Sequence, residues 1–156
     1  MNGAIAERLQ GSRRVHLDSM AFIYFIEGHP DYSPLLRPLF AAIDGGSLEA
    51  ITSYLTLLEV LVHPLRQGRA DLVRDYTDIL TNERNFKLRP LDREIAEEGA
   101  AIRAKFSSIK TPDAIQLATA VRGRADVFIT NDGQFRFCTD TRIRFLVLDD
   151  LLKKKA

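Results

Sequence analysis

The chain has 156 residues, of which 46% are hydrophobic and 28% are charged. This length supports one well-buried domain, and we expect a single domain over residues 1–156. The formal net charge is +1, so no overall field draws the protein to nucleic acid or to a membrane, and any such binding must come from a local patch.

Cysteine usage and the apolar runs indicate the compartment. Cys138 is the only cysteine, which excludes an internal disulfide and a metal site built from several cysteines. The expected location is reducing and cytoplasmic. No apolar run approaches the roughly 20 residues that span a bilayer, and the first 14 residues lack the apolar core of a signal peptide. We therefore expect no membrane association.

The first predicted strand leads directly into a helix. Residues 14–18 alternate and are β-prone, and a helical pattern begins at Ser19 and stops at Gly28. Asp18 thus lies at the carboxyl end of a strand, where open α/β sheets bind their ligands. The alternative is that Asp18 or Ser19 only caps the helix. His16 is predicted to be a packed or hydrogen-bonded core residue.

A second strand also leads into a helix. Residues 32–43 have an amphipathic helix pattern, residues 49–52 form a brief strand, and residues 53–63 form a helix that Pro64 ends. Glu59 lies within the apolar stretch of that helix, and glutamate is rarely buried unless it is paired or bound to a cation. The alternative is that Glu59 faces water on one stripe of the helix.

The middle of the chain has ordinary structural patterns. Residues 68–82 read as a helix that forms a hairpin with the preceding one, which is a plausible surface for self-association or for a partner. Residues 86–89 are a strand and residues 92–106 an amphipathic helix. Nothing in these segments requires chemistry.

The next helix carries an acid in its first turn. Pro112 suits a first helical position and Thr111 the N-cap, so Asp113 lies at the N-terminal rim. The residues that follow, through Val121, are apolar around most of the circumference, which predicts a helix buried between a sheet and another helix. Asp113 therefore either stabilises the helix end or acts as a ligand.

The last elements complete an alternating order. Residues 127–130 form a buried strand, and Asn131, Asp132 and Gly133 follow it as a turn or as part of a site. Residues 144–148 form the last strand before a short helix. Strands that alternate with helices predict a parallel sheet covered on both faces, and the fold class is α/β.

Four acidic residues occupy comparable places in this order: Asp18, Glu59, Asp113 and Asp132. In a right-handed parallel α/β layer these places converge on one edge of the sheet. Carboxylates gathered there would repel one another by about 3 kcal/mol per pair at roughly 5 Å and an effective dielectric near 20. A cation would offset that repulsion. Oxygen donors, with His63 as the one imidazole nearby, favour Mg²⁺ or Mn²⁺ over zinc.

The motifs around these acids resemble those of the PIN domain family in order and rough spacing, from residue 15 to residue 148. They are Leu17-Asp18-Ser19, Leu58-Glu59-Val60, Thr-Pro-Asp-Ala-Ile-Gln-Leu-Ala-Thr-Ala over residues 111–120, and Ile-Thr-Asn-Asp-Gly-Gln-Phe over residues 129–135. The arrangement most resembles the toxin ribonuclease of VapBC toxin–antitoxin pairs. The resemblance implies a three-layer α/β/α sandwich with a short, mainly parallel central sheet.

The resemblance further implies an endoribonuclease that depends on Mg²⁺ or Mn²⁺. The four acids would be both the catalytic residues and the metal ligands, with Asp18 and Asp113 as the main ligands. Glu59 or Asp132 would accept a proton or bind a second ion, and the sequence leaves these roles open. On this analogy hydrolysis leaves a 5′-phosphate and a 3′-hydroxyl.

Three supporting residues are implied as well. Ser19 and Thr130 would place hydroxyls beside the acids, and Asn131 would orient Asp132. The sequence departs from the family pattern in three places. Met20 stands where many relatives carry a polar residue, Gln116 is neutral where some have an acid, and Gly133-Gln134 supplies no further acid after Asp132. A second metal ion is therefore left open.

Partners follow from the same resemblance. It implies an RNA substrate, a homodimer and a cognate antitoxin whose arginine or lysine covers the acids. Basic residues that could contact RNA phosphates, or that only carry solvated surface charge, are Arg13, Arg14, Lys110, Arg136, Arg142 and Arg144.

Two other functions compete with the nuclease. Phosphoryl transfer through Asp18 would require a second aspartate two residues later or a glycine-rich phosphate loop, and neither is present. A catalytically silent RNA-binding or assembly module is the second alternative, although such a module has no reason to retain four mutually repelling acids.

Overall fold

The computed structural model describes residues 3–82, 84–139 and 141–153. The strands are β1 (Arg14–Leu17), β2 (Glu49–Ser53), β3 (Phe86–Arg89), β4 (Val127–Thr130) and β5 (Arg144–Val147). The helices are α1 (Ala4–Leu9), α2 (Ser19–Ile26), α3 (Ser33–Asp44), α4 (Tyr54–Arg66), α5 (Ala70–Leu80), α6 (Arg93–Lys105), α7 (Thr111–Arg122) and α8 (Asp149–Lys153). A 3₁₀ turn covers Gly133–Phe137.

The five strands form one parallel sheet in the order β3-β2-β1-β4-β5. The chain builds outward from β1 through β2 to β3, and then returns to the other side of β1 for β4 and β5. The order therefore reverses between β1 and β4, and such a switch point opens a crevice at the carboxyl ends of the two strands. Helices cover both faces, which confirms the predicted three-layer α/β/α sandwich.

The central strands are buried on both faces, as their nearly continuous apolar sequences predict. Leu17 and Ile129 pair in register and face the layer that contains α2, α3 and α5. Phe128 and Ile51 face the opposite layer, formed by α6 and α7. His16 pairs in register with Phe128 and stacks on its ring at 4.5 Å between centroids, so the predicted core placement of His16 is confirmed.

Two predicted helix boundaries are wrong. Pro64 does not end α4, which continues to Arg66; Pro64 is itself buried, and its packing offsets the missing backbone donor. The N-cap of α7 is Lys110, not Thr111, and no side chain caps this helix. The Thr111 hydroxyl instead accepts a hydrogen bond from Arg103 at 3.0 Å.

Helix α1 was not predicted, because six residues are too short for a reliable helical period. It buries Ile5 and Leu9 in the core on the α3 side of the sheet. Within the described residues, no helix is long and apolar enough to cross a membrane. The prediction of a single domain over residues 1–156 extends beyond the described residues and stays a prediction.

The end of α7 approaches β2 so closely that a glycine is required there. A Cβ added to Gly123 would lie 2.2 Å from Ile51 Cδ1 and 2.8 Å from the Thr119 carbonyl oxygen. Gly123 has a φ of −76°, so the reason is space and not a left-handed backbone. Gly45 ends α3 with the same φ, but a Cβ there would meet only the Ala41 carbonyl oxygen, at 3.2 Å.

This contrast predicts different effects of the same substitution. Gly123→Ala should lower the free energy of unfolding by about 1–3 kcal/mol, because the added methyl overpacks the contact with β2. Gly45→Ala should change stability by less than about 1 kcal/mol, since the contact is milder and alanine restricts the unfolded chain. Urea denaturation of the two variants measures both values, and equal midpoints would contradict the close packing.

Candidate functional site

Asp18 lies at the carboxyl end of β1, at the switch point of the sheet. It is 9% exposed, its Oδ1 accepts a hydrogen bond from the Met20 backbone N–H at 3.2 Å, and its Oδ2 accepts one from the Thr130 hydroxyl. Burial raises the pKa of Asp18 to about 7, against the opposing effect of these donors. Asp18 therefore caps α2 and also places a carboxylate that is costly to ionise at the crevice.

Thr130 ties the ends of β1 and β4 together. Its side chain is fully buried, and its hydroxyl oxygen accepts the Asp132 backbone N–H at 3.0 Å while its proton goes to Asp18. Asp132 then caps the 3₁₀ turn, because its Oδ1 accepts the Gln134 N–H at 2.9 Å. Asp132 therefore takes part in the predicted turn after β4 and is also one of the candidate acids.

Glu59 extends from α4 to the same edge of the sheet. The residue is exposed, as the alternative interpretation expected, but both of its carboxylate oxygens are held. Oε2 accepts the Ser19 hydroxyl at 3.1 Å, and Oε1 accepts the Gln116 side-chain N–H at 3.3 Å. The Glu59 carboxylate is therefore fixed between α2 and α7 and does not move freely in solvent.

Asp113 is half-buried in the first turn of α7. Burial raises its pKa, the charges of Asp132 and Glu59 raise it further, and Lys110 opposes them. The charge of Glu59 likewise contributes to the raised pKa of Asp18. These pairwise effects mean that the four acids share one electrostatic environment at the carboxyl edge of the sheet.

The acids do not form a preassembled metal site. Among the residues that the structure describes, no three or more His, Cys, Asp or Glu side chains are grouped so that they could hold an ion. The donor chemistry nevertheless fits a hard cation, because the groups at this edge are carboxylate and hydroxyl oxygens. A positive charge would also favour ionisation of Asp18 and Asp113, whose pKa values are both raised.

Asn131 has a different role from the one that the resemblance implied. Its Oδ1 accepts the Asp149 backbone N–H at 2.9 Å, and its Nδ2 donates to the Tyr24 hydroxyl at 3.3 Å and to Asp149 Oδ1 at 3.4 Å. The hydroxyl of Tyr32 also donates to Asp149. Asn131 therefore orients the start of α8, and its side-chain hydrogen bonds do not include Asp132.

Gln116 is the residue at this site that sequence reasoning undervalued. It is 4% exposed and lies one turn after Asp113, where its Nε2 contacts both Thr56 Oγ1 and Glu59 Oε1. Its amide was a visible signal, because it is a large polar group inside an otherwise apolar helix. Tyr24, Tyr32 and Asp149 gave no comparable signal, since their contacts to Asn131 join distant parts of the chain.

Several basic residues lie away from the acids. Arg14 begins β1, bonds to Glu49 at 2.8 Å and donates to the Gly123 carbonyl, and Arg144 begins β5 and bonds to Ser12. These strand starts form the edge opposite the acids, so neither arginine lies beside them. Lys110 lies at the acidic edge, where it acts on Asp113.

Comparison with known proteins gives one family and a group of similar structures. The sequence matches the family model of the PIN domain over residues 15–137. No curated protein matches it significantly. Similar solved structures include VapBC2 from Rickettsia felis bound to a DNA fragment from their promoter, with a TM-score of 0.66 and 14% identity over 86% of this chain and 98% of that one.

Two further structures have the same degree of likeness. A toxin–antitoxin complex from Klebsiella pneumoniae has a TM-score of 0.63 and 21% identity, and covers 86% of this chain and 97% of that one. VapC20 from Mycobacterium tuberculosis, a Sarcin-Ricin loop cleaving toxin, has a TM-score of 0.65 and 14% identity, and covers 83% of this chain and 98% of that one. At these identities the likeness shows a shared fold.

The raised pKa of Asp18 predicts that removing its charge by mutation increases the free energy of unfolding, by an amount that depends on pH. Between about pH 4 and pH 7 the unfolded chain loses the Asp18 proton while the folded protein keeps it, so wild-type stability falls as pH rises. Asp18→Asn keeps a capping oxygen and does not titrate. In EDTA it should therefore be more stable than wild type at pH 8, by up to about 4 kcal/mol, and the difference should vanish near pH 4.

Asp126→Asn is the matched control at the opposite edge. Asp126 accepts the backbone N–H groups of Arg13 and Arg14 at 2.8 and 2.9 Å, and these donors lower its pKa although burial raises it. This variant should be less stable than wild type at pH 8. Urea unfolding at several pH values tests both variants, and a pH-independent effect of Asp18→Asn would contradict the burial argument.

Proposed function

This chain belongs to the PIN domain family, and we propose that it is a Mg²⁺- or Mn²⁺-dependent endoribonuclease that acts as the toxin of a toxin–antitoxin pair. The observation that carries the proposal is the placement of the four acids at the carboxyl edge of the sheet. Glu59 is hydrogen-bonded to Ser19, the neighbour of Asp18, and both Glu59 and Asp132 raise the pKa of Asp113. A fold alone does not fix a function, but ionisable carboxylates kept together at a ligand-binding edge are costly unless they bind a cation.

The similar structures support the toxin part of the proposal. They include toxin–antitoxin complexes, and one of them is a toxin that cleaves the Sarcin-Ricin loop. Their fold extends over more than four fifths of this chain. We therefore extend to this chain both the cleavage of RNA and the pairing with an antitoxin.

The four acids would have different roles. Asp18 and Asp113 would hold the ion, because Asp18 is fixed by Thr130 and by the cap of α2 and Asp113 by the start of α7. A bound Mg²⁺ or Mn²⁺ would supply positive charge opposite the scissile phosphate and would lower the pKa of the attacking water. Glu59 is exposed and Asp132 is half-buried, and one of them would accept the proton from that water.

The acidic edge also predicts what the partner must carry. An antitoxin that silences the enzyme would place an arginine or lysine among the carboxylates, because a cationic side chain competes with the metal for the same charge. We further propose a homodimer in the cytoplasm. A gene for a small DNA-binding protein beside the gene for this chain would support the toxin assignment.

The proposal predicts RNA cleavage that requires both a divalent ion and Asp113. Purified protein should cut RNA in Mg²⁺ or Mn²⁺ but not in EDTA. Asp113→Asn should slow cleavage at least about a hundredfold, the scale on which loss of a charge-stabilising group acts. Its urea midpoint should not fall below that of wild type, because the pKa of Asp113 is raised and the folded protein gains nothing from its charge. Asp75→Asn, on an exposed part of α5, is the control and should cut normally. Normal cleavage by Asp113→Asn would contradict the metal site.

Metal binding can be tested without RNA. Millimolar Mn²⁺ should raise the melting temperature of the wild-type protein, because the ion binds the native acids and not the unfolded chain. The rise should be smaller in Asp18→Asn and in Asp113→Asn, and unchanged in Asp75→Asn. If neither Mn²⁺ nor Mg²⁺ changes the melting temperature of the wild-type protein, the catalytically silent RNA-binding or assembly module is favoured.

A further inference from the structure

A row of buried polar side chains lies directly beneath the acids. Gln116, Thr56 and Thr52 are each at most 4% exposed, although they come from three elements, α7, α4 and β2. Buried polar groups are costly unless they are hydrogen-bonded. These three are bonded to one another in a line that begins at Glu59 and ends at the backbone of β1.

The hydrogen bonds of this row have a fixed direction. The Thr52 hydroxyl is 2.7 Å from the Leu17 carbonyl oxygen, which has no proton, so Thr52 must be the donor. A hydroxyl has only one proton, and therefore Thr56, whose Oγ1 is 2.7 Å from Thr52 Oγ1, must donate to Thr52. The oxygen of Thr56 is then left to accept the next hydrogen bond along the row.

This direction determines which way the Gln116 amide faces. Gln116 lies 2.8 Å from Thr56 Oγ1, which can only accept, so the nitrogen of the amide and not its oxygen must be on that side. The same NH₂ group donates to Glu59 Oε1 at 3.3 Å. If the amide were reversed, its oxygen would face the Thr56 hydroxyl oxygen, whose proton is already donated to Thr52, and the Glu59 carboxylate. Both contacts would then be repulsive.

His16 lies on the other side of the amide. The imidazole nitrogens of His16 and the Oε1 atom of Gln116 are buried and lack hydrogen-bond partners among the described residues. The His16 ring is stacked on Phe128 in the central sheet. A neutral imidazole has one N–H, which can donate to the amide oxygen. The two side chains are neighbours, because an interaction with Gln116 opposes the lowering of the His16 pKa by burial. His16 thus favours the same orientation of Gln116 as the threonines do.

We propose that Gln116 is a positioning residue that holds the Glu59 carboxylate in its working orientation, and that Thr52, Thr56 and His16 fix the direction of its amide. The inference rests on the nuclease activity proposed above. Glu59 is exposed on α4, where a glutamate would otherwise sample many rotamers. The contacts from Gln116 and from Ser19 select the rotamer that points to the other acids.

Gln116→Met tests the inference, because methionine has a similar volume and no N–H group. It should lower kcat for RNA by about ten- to a hundredfold, the effect expected when a group that orients a site ligand is removed, with little change in KM. Thr119→Val is the control. Thr119 is buried on the same helix and donates only to the Ile115 carbonyl, so its kcat should stay within about twofold of wild type.

A double-mutant cycle separates positioning from structural support. In a Glu59→Ala background, Gln116→Met should have no further effect on kcat, because the group through which it acts is gone. An equal loss in both backgrounds would overturn the inference while leaving the nuclease proposal intact. Thr52→Val is a milder second variant in case Gln116→Met does not fold, and its smaller loss of kcat should also disappear when Glu59 is alanine.

The magnetic resonance signals of the Gln116 amide test the inference without an activity assay. The side-chain NH₂ resonances of Gln116 should shift in Glu59→Ala and in Thr52→Val and should not shift in Thr119→Val. Unchanged resonances would overturn the inference directly. If the resonances shift but wild-type protein cuts no RNA in Mg²⁺ or Mn²⁺, then the proposed function fails, and with it the catalytic meaning of the contact.

Discussion

The hydrogen bond from Thr130 to Asp18 joins the two strands between which the sheet reverses its order. A carboxylate is poorly accommodated in a nearly dry position, and burial accordingly raises its pKa to about 7. The Thr130 hydroxyl and the N–H groups at the start of α2 offset part of that cost. A second acid is placed from the same point, because the Thr130 hydroxyl oxygen also accepts the Asp132 backbone N–H.

The capping role of the acids is compatible with the catalytic role proposed for them. Asp18 and Asp132 each cap a helical segment, which is the ordinary reason for an aspartate at such a position. Each cap uses one carboxylate oxygen for a backbone N–H. Capping also restricts the rotamer, so it aims the carboxylate at the shared edge. A structural explanation of these residues therefore supports the functional one.

The hydrogen-bonded row beneath the acids shows how a core can orient a surface group. Each threonine hydroxyl has one proton to give, and the Leu17 carbonyl at the end of β1 can only accept. That single constraint passes through Thr52 and Thr56 to the amide of Gln116 and so to Glu59. Buried networks of this kind favour one arrangement over its alternatives, because a reversed amide would place its oxygen against two other acceptors.

The sequence by itself determined the α/β class and the strand positions, because buried strands and amphipathic helices carry their periods locally. It also singled out the four acids, whose catalytic role stays a prediction. It failed where neighbours in space decide. Packing keeps Pro64 inside α4, Arg103 engages the Thr111 hydroxyl, and Asn131 serves α8 and not Asp132. The tertiary structure alone aligned Gln116 with Glu59 and His16, since these three residues lie far apart in the chain and meet only where α4, α7 and β1 pack together.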